Sequence, residues 1–220
     1  MQKNALLPAL PSLEHCRQLL KQHDKERYLI SLYLPSPLRE CSWVLGAFNV
    51  EVARTASAVS EEMIGVIRLK WWGEVLEMIQ RGEKPREHPV VEAIDSLYNF
   101  YQLPLYPLER MIEQREIDLG QGMLLANIAQ LDKYASITGA APWLPLSILA
   151  GEKEAEVTDY LTRLGHLWTL TGLLRSTGFH LHENKTFIPT EVFKSHDFTD
   201  IKLETLPEKE VLLHTVVTKK

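Results

Sequence analysis

The chain has 220 residues, 45% of them hydrophobic, a net charge of −5 and a pI near 5.9. That length suits one domain, or a tightly joined pair, with a sizeable core. The charge totals exclude an evident nucleic-acid footprint. The richest apolar run, residues 143–150, is too short to span a bilayer and contains Pro145, so any membrane role expected here is peripheral.

The N-terminus lacks the basic region and continuous apolar run of a signal peptide. Cys16 and Cys41 form neither a metal spacing nor a disulfide framework, which fits a reducing compartment.

The elements expected are helices almost throughout. Ser12 can cap a helix starting near Leu13, with Cys16, Leu19 and Leu20 on one face. Residues 27–34 are short and apolar, and Pro35 and Pro37 then break the chain. Pro37 suits the first turn of a helix over 37–58, in which Val44, Leu45, Phe48 and Val52 recur at helical spacing, a pattern that Val59 continues. Ser60-Glu61-Glu62-Met63 starts a helix over 61–81, with Ile64, Ile67, Trp71, Val75, Met78 and Ile79 as its stripe. Gly82 ends it, and a charged loop leads to His88-Pro89, which opens a helix to about Gln102.

Pro104 and Pro107 mark the next turn, and helices are expected over 108–120 and 124–138. Residues 139–145 form a break with two prolines. A long apolar helix over 154–182 follows, weakened by Gly165, Gly172 and Gly178. The division expected is a helical domain over 1–193 and a polar tail over 194–220. Strand signals are nearly absent, residues 215–218 being a β-branched exception. There is no repeat, glycine-rich phosphate loop, nucleophile elbow or zinc pattern. Short connections favour antiparallel neighbours in a bundle.

Three stretches resemble one family. They are Arg27-Tyr28-Leu29 through Leu34-Pro35 with Leu45-Gly46-Ala47-Phe48-Asn49-Val50-Glu51-Val52-Ala53-Arg54; Arg68-Leu69-Lys70-Trp71-Trp72 with His88-Pro89-Val90; and Leu170-Thr171-Gly172-Leu173-Leu174-Arg175 with Phe187-Ile188-Pro189. In order they resemble the start, middle and end of the squalene/phytoene synthase superfamily, with residues 134–139 similar to its central tyrosine-to-glycine segment. The resemblance implies an all-α, prenyl-synthase-like (isoprenoid synthase) bundle around a central cavity.

Active members condense two prenyl diphosphates head to head, using magnesium held by two aspartate-rich motifs. Carboxylates four residues apart share one helix face, and two such helices clamp metal and diphosphate between them. In an ungapped alignment the first motif's carboxylates fall at Ala53, Arg54 and Ser57, and the second's at Ser176 and His180. None is acidic. The variant pattern resembles a divergent branch that includes bacterial, often alphaproteobacterial, members and a mitochondrial assembly factor for respiratory complex I.

The resemblance therefore implies a pseudoenzyme with no catalytic residue, no metal ligand and no cofactor. It implies an isoprenoid or lipid ligand, or a respiratory complex I subunit as partner, and no nucleic acid. The location implied is cytoplasmic, peripheral at the inner membrane, on the matrix side in a mitochondrion. The alternative is an active head-to-head prenyltransferase with rearranged ligands, in which magnesium is held by Glu51, Glu61, Glu62 and Asp118. A third reading is a structural assembly protein with a filled core and no ligand. The chain after the second motif is shorter than in active relatives, so the bundle expected is abbreviated.

Residues considered for ligand binding are Asn49, Glu51, Arg54, Arg68, Trp71, Tyr134 and Arg175. Each has a plainer reading beside it. Trp71 and Trp72 divide between core and surface; Arg68 joins a surface salt bridge; Asp118 makes a structural hydrogen bond; His166 is a satisfied core residue. His180 and His182 do not share a helix face and lack a third ligand. Arg175 is expected to pair internally with Glu51 in place of the lost metal.

Overall fold

The computed structural model describes residues 11–59, 61–151 and 155–194. The helices are α1 (Pro11–His23), α2 (Lys25–Ser31), α3 (Leu38–Ala53), α4 (Glu62–Gln80), α5 (Pro89–Tyr101), α6 (Tyr106–Arg115), α7 (Ile128–Ala140), α8 (Leu144–Ala150), α9 (Ala155–Arg175), α10 (Thr177–His182) and α11 (Thr190–Lys194). A 3₁₀ turn, Glu116–Leu119, follows α6. Two short parallel strands, β1 (Gly122–Met123) and β2 (Lys185–Thr186), tie the loop before α7 to the chain after α10.

Helix α3 is the centre. Cys41, Val44, Leu45, Ala47, Phe48 and Val52 are all buried, so it is apolar around most of its circumference. Helices α1 and α5 pack on it, α8 closes one side, and α4 lies against α5 and α6. Phe48 meets Trp72 of α4 edge to face at 5.1 Å. From α6 the packing passes to α7, and from α7 to α9.

The helix starts follow local chemistry. The Asp24 carboxylate accepts from Arg27 N (3.1 Å) to open α2. The Asn127 side chain accepts from Gln130 N (2.9 Å) to open α7. His88 Nδ1 accepts from Val90 N (3.2 Å) to open α5, with Pro89 in its first turn.

Several expected boundaries shift. Helix α3 stops at Ala53 rather than 58, where the chain turns and buries Thr55. The inward face of α4 is Gly65, Leu69, Trp72, Val75, Leu76 and Ile79, while Ile64 and Ile67 point to solvent. Gly65 lies against Leu119 of the 3₁₀ turn: a Cβ there would lie 2.4 Å from Leu119 Cδ2, so the Leu119 side chain fills the space that a larger residue would need. The helix expected over 108–120 is α6 plus that turn, and the one over 124–138 runs four residues later at its start because β1 and its loop come first. The long helix over 154–182 breaks at Ser176, whose hydroxyl donates back to Gly172 O (2.9 Å). The tail beyond Lys194, including residues 215–218, and the helix starts at Ser60 and Glu154 lie outside the described residues.

Helices α7 and α9 touch backbone to backbone. A Cβ on Gly139 would lie 2.0 Å from Gly165 O, and one on Gly165 would lie 2.5 Å from Gly139 C. No side chain fits there, and no flexible end can move aside. Gly165 is the buried residue of α9; its other apolar side chains are half-buried or exposed.

Gly165→Ala should therefore lower the unfolding free energy by about 1–3 kcal/mol or more, because overpacking outweighs any gain in helix propensity. Gly73→Ala in α4, where a Cβ meets nothing within 4 Å, should raise it by about 0.5–1 kcal/mol. Urea midpoints at matched slope read both changes, and equal effects at the two glycines would refute the contact.

Candidate functional site

The first polar cluster is interior. Helix α6 ends at Arg115, and the 3₁₀ turn brings Asp118 back to it, Arg115 Nη1 donating to Asp118 Oδ2 at 3.0 Å. The same nitrogen donates to the Tyr134 hydroxyl of α7 at 2.7 Å, and that hydroxyl donates to Asp118 Oδ1 at 2.7 Å. Arg115 Nη2 reaches Asn49 Oδ1 of α3 at 3.5 Å, the outer limit of a hydrogen bond. Burial pushes the Tyr134 hydroxyl well above its ordinary pKa, against the pull of Arg115. Burial also opposes the Arg115 charge, but Tyr134 and Asp118 outweigh it and hold the guanidinium protonated. Asn49 and Tyr134 are thus spent on joining α3, α6 and α7. Asp118 has the structural hydrogen bonds expected of it. Arg115 was not anticipated; its only signal in the chain is a position three residues before Asp118.

The second cluster joins α3 to α4. Glu51 Oε2 accepts from Arg68 Nη2 at 3.1 Å, so both residues serve an ion pair. Trp71 is half-buried and meets the buried Trp72 edge to face at 4.7 Å, the division expected of the two tryptophans. The His88 ring stands against both, 5.8 Å from Trp71 and 5.2 Å from Trp72. Burial lowers the His88 pKa below its ordinary 6.5, against the opposite pull of Glu51.

The third cluster lies at and beside the positions aligned above with the family's two aspartate-rich motifs. Arg54 Nη1 lies 3.0 Å from His23 Nε2 at the end of α1. Ser57 Oγ donates to Arg54 O at 3.1 Å. Ser176 Oγ lies 3.0 Å from His180 Nε2. Arg175 Nη1 donates to Glu26 Oε1 of α2 at 3.2 Å, both side chains largely exposed. The expected pair of Arg175 with Glu51 does not form, because Glu51 is taken by Arg68 and Glu26 is the carboxylate within reach. Arg27 pairs with Asp24 and lies 5.2 Å from the Trp168 ring. His23, Glu26, Arg27, Trp168 and Arg175 line a groove of about 560 Å³ between α2 and α9.

This donor set does not fit magnesium. A hard cation wants several convergent oxygens, and the groove's carboxylates, Asp24 and Glu26, are already engaged by arginines. Among the described residues no group of three or more His, Cys, Asp or Glu could hold a metal ion. Glu61 and Glu62 are exposed at the start of α4, Glu51 is with Arg68, and Asp118 is buried in the first cluster.

A second groove, about 360 Å³ and walled by apolar side chains, lies between α7, α9 and α11. Leu131, Leu170, Leu173, Phe187 and Val192 line it, with His180 at one side. Burial lowers the His180 pKa. His166 is not a core residue: it is half-buried, and its Nε2 lies 3.0 Å from Asp132 Oδ1.

Two outcomes follow. Tyr134→Phe removes a hydroxyl that serves both Asp118 and Arg115, and should cost about 1–3 kcal/mol in unfolding free energy. His88 binds a proton less readily when folded, so its contribution is complete above pH 6.5 and is lost as pH falls below that value. Protonation also removes the Nδ1 acceptor and places a cation at a helix N-terminus. His88→Asn retains a cap acceptor and should show a shallower acid decline across a urea-melt pH series, His180 accounting for part of what remains. Parallel declines would contradict the assignment.

The squalene/phytoene synthase family model matches residues 20–218. The chain is 31% identical over 183 residues to a Homo sapiens protein named NADH dehydrogenase (ubiquinone) complex I, assembly factor 6, covering 83% of this chain and 54% of that one. It thus spans about half the length of that relative. It is 27% identical over 191 residues to a phytoene synthase of Thermus thermophilus, covering 84% of this chain and 62% of the other. Among solved structures, a dehydrosqualene synthase in complex with ligand superposes with a TM-score of 0.74 at 18% identity, covering 94% of this chain and 71% of that one. Squalene synthase HpnC from Alicyclobacillus acidocaldarius superposes equally well, at 17% identity, over 93% of this chain and 77% of that one; both likenesses concern the fold. With an all-helical isoprenoid synthase fold and a family match across most of its length, the chain belongs to the squalene/phytoene synthase family.

Proposed function

We propose that this protein is a non-catalytic member of its family, a pseudoenzyme that acts in assembling a respiratory complex by holding a partner or an apolar ligand. The observation that carries this reading is the state of the clamp positions. Ala53, Arg54, Ser57, Ser176 and His180 provide no carboxylate, and Arg54 and Arg175 place positive charge there, engaged by His23 and Glu26. A dication brought to that groove meets arginines instead of oxygens. The relatives named complex I assembly factor 6 support the assembly reading, and a complex I subunit is the partner class it implies, at the inner membrane face.

The apolar groove beside α9 suits an isoprenoid or other lipid chain in size and lining. No cofactor belongs to this reading. An active prenyltransferase needs Glu51, Glu61, Glu62 and Asp118 to converge, and each is committed or exposed elsewhere.

Calorimetric titration with a non-hydrolysable farnesyl diphosphate analogue, with and without magnesium, tests the reading. Binding that is absent or indifferent to magnesium is the expected result. Magnesium-dependent binding, or condensation of farnesyl or geranylgeranyl diphosphate, would overturn it.

A further inference from the structure

The last turn of α2 and the turn that follows it present large apolar side chains to solvent. Leu29, Ile30, Leu32 and Tyr33 are all exposed, Tyr33 at 91%. Scattered exposed leucines need no explanation, but four large apolar side chains within five residues make a patch.

The patch is held outward by a rigid base. Leu32 N donates to Leu29 O, Tyr33 N to Ile30 O and Leu34 N to Ser31 O, at 3.0–3.2 Å. Ser31 is buried and accepts from Trp43 Nε1 at 2.9 Å. Arg39 Nε donates to Leu34 O at 3.0 Å. The turn is therefore pinned to α3 while its apolar side chains face away.

Charge around the patch has one sign left over. Asp24 is paired with Arg27, Glu26 with Arg175 and Glu14 with Arg17. Lys21 and Lys25 are exposed and make no ion pair among the described residues. The Lys21 ammonium lies 6.0 Å from the ring of Tyr28, the residue just before Leu29 in α2, and Lys25 lies one helical turn before Leu29.

We propose that this turn is a docking tip for an anionic lipid surface, Leu29, Ile30, Leu32 and Tyr33 entering the headgroup boundary while Lys21 and Lys25 meet anionic headgroups. Apolar insertion and a basic collar together supply the two signals that stable but reversible attachment needs. An aromatic with a polar end, such as Tyr33, is suited to that boundary. The proposal deepens the placement at the inner membrane face given above; it uses neither the groove nor the lost clamp, so loss of vesicle binding and magnesium-dependent diphosphate binding are distinguishable failures.

The test is flotation of the full chain with phosphatidylcholine vesicles, with and without about 30% phosphatidylserine. The protein should float with the anionic vesicles, less so with the neutral ones, and less again at high salt. Leu32→Ser with Tyr33→Ser should lower the partition coefficient by roughly tenfold or more. Lys21→Glu with Lys25→Glu should erase the preference for anionic vesicles.

Cys16 and Cys41 are fully buried, so Leu32→Cys can carry a single polarity-sensitive label, which should shift to the blue on vesicles. The same label at Met63→Cys, on the exposed first turn of α4, should not. Failure of the unaltered chain to float with either vesicle would sink the proposal, as would an unchanged partition coefficient in the Leu32/Tyr33 variant. A shift at position 63 with silence at 32 would also overturn it. So would a dimer in solution that this variant breaks without any vesicle binding, which would assign the patch to a second copy.

Discussion

Two glycines on different helices, Gly139 and Gly165, meet with no side chain between them, and the layout around α9 depends on that crossing. Helix α9 packs chiefly against α7, with smaller contacts to α8 and α10, and most of its side chains are half-buried or exposed. The two sides left over become the two grooves, one facing α2 with charged walls, the other facing α11 with apolar ones. A larger residue at either position would push the helices apart and change both grooves together.

In the charged groove, arginines and carboxylates of the chain pair with one another. Arginine cannot lose its charge, so each one introduced must find a carboxylate or face solvent. Arg27 has Asp24 and Arg175 has Glu26, while Arg54 reaches His23. Deeper in, Arg115 is held by Asp118 and the Tyr134 hydroxyl. Breaking such an interior pair leaves an uncompensated charge, whereas the exposed pairs contribute little. Arg115–Asp118 and Arg27–Asp24 are both mostly buried and costly to break, whereas the exposed Arg175–Glu26 pair is free to exchange partners.

The positions read from sequence as ligand contacts divide along that line. Asn49 and Tyr134 fall in family-like segments, and inside the bundle both meet the Arg115–Asp118 cluster. Glu51 and Arg68 are 17 positions apart and find each other only because α4 returns alongside α3. Arg175 and Glu26 are separated by most of the chain. No spacing rule connects such pairs; each depends on which helices the core brings together.

The absence of acidic residues at the aligned clamp positions was legible only through the family resemblance. Local pattern by itself determined the helical class, the helix opening at His88-Pro89 and the breaks at the prolines. Those are properties of neighbouring residues, and neighbours in sequence remain neighbours in any fold. Helix rotation, ion-pair partners and the location of the grooves were decided by tertiary structure. Of the expected stripe, Val75 and Ile79 are buried while Ile64 and Ile67 are exposed, Gly65 between them packing on Leu119 instead. Periodicity states that a helix has an apolar face; only the fit against other helices selects which face is buried.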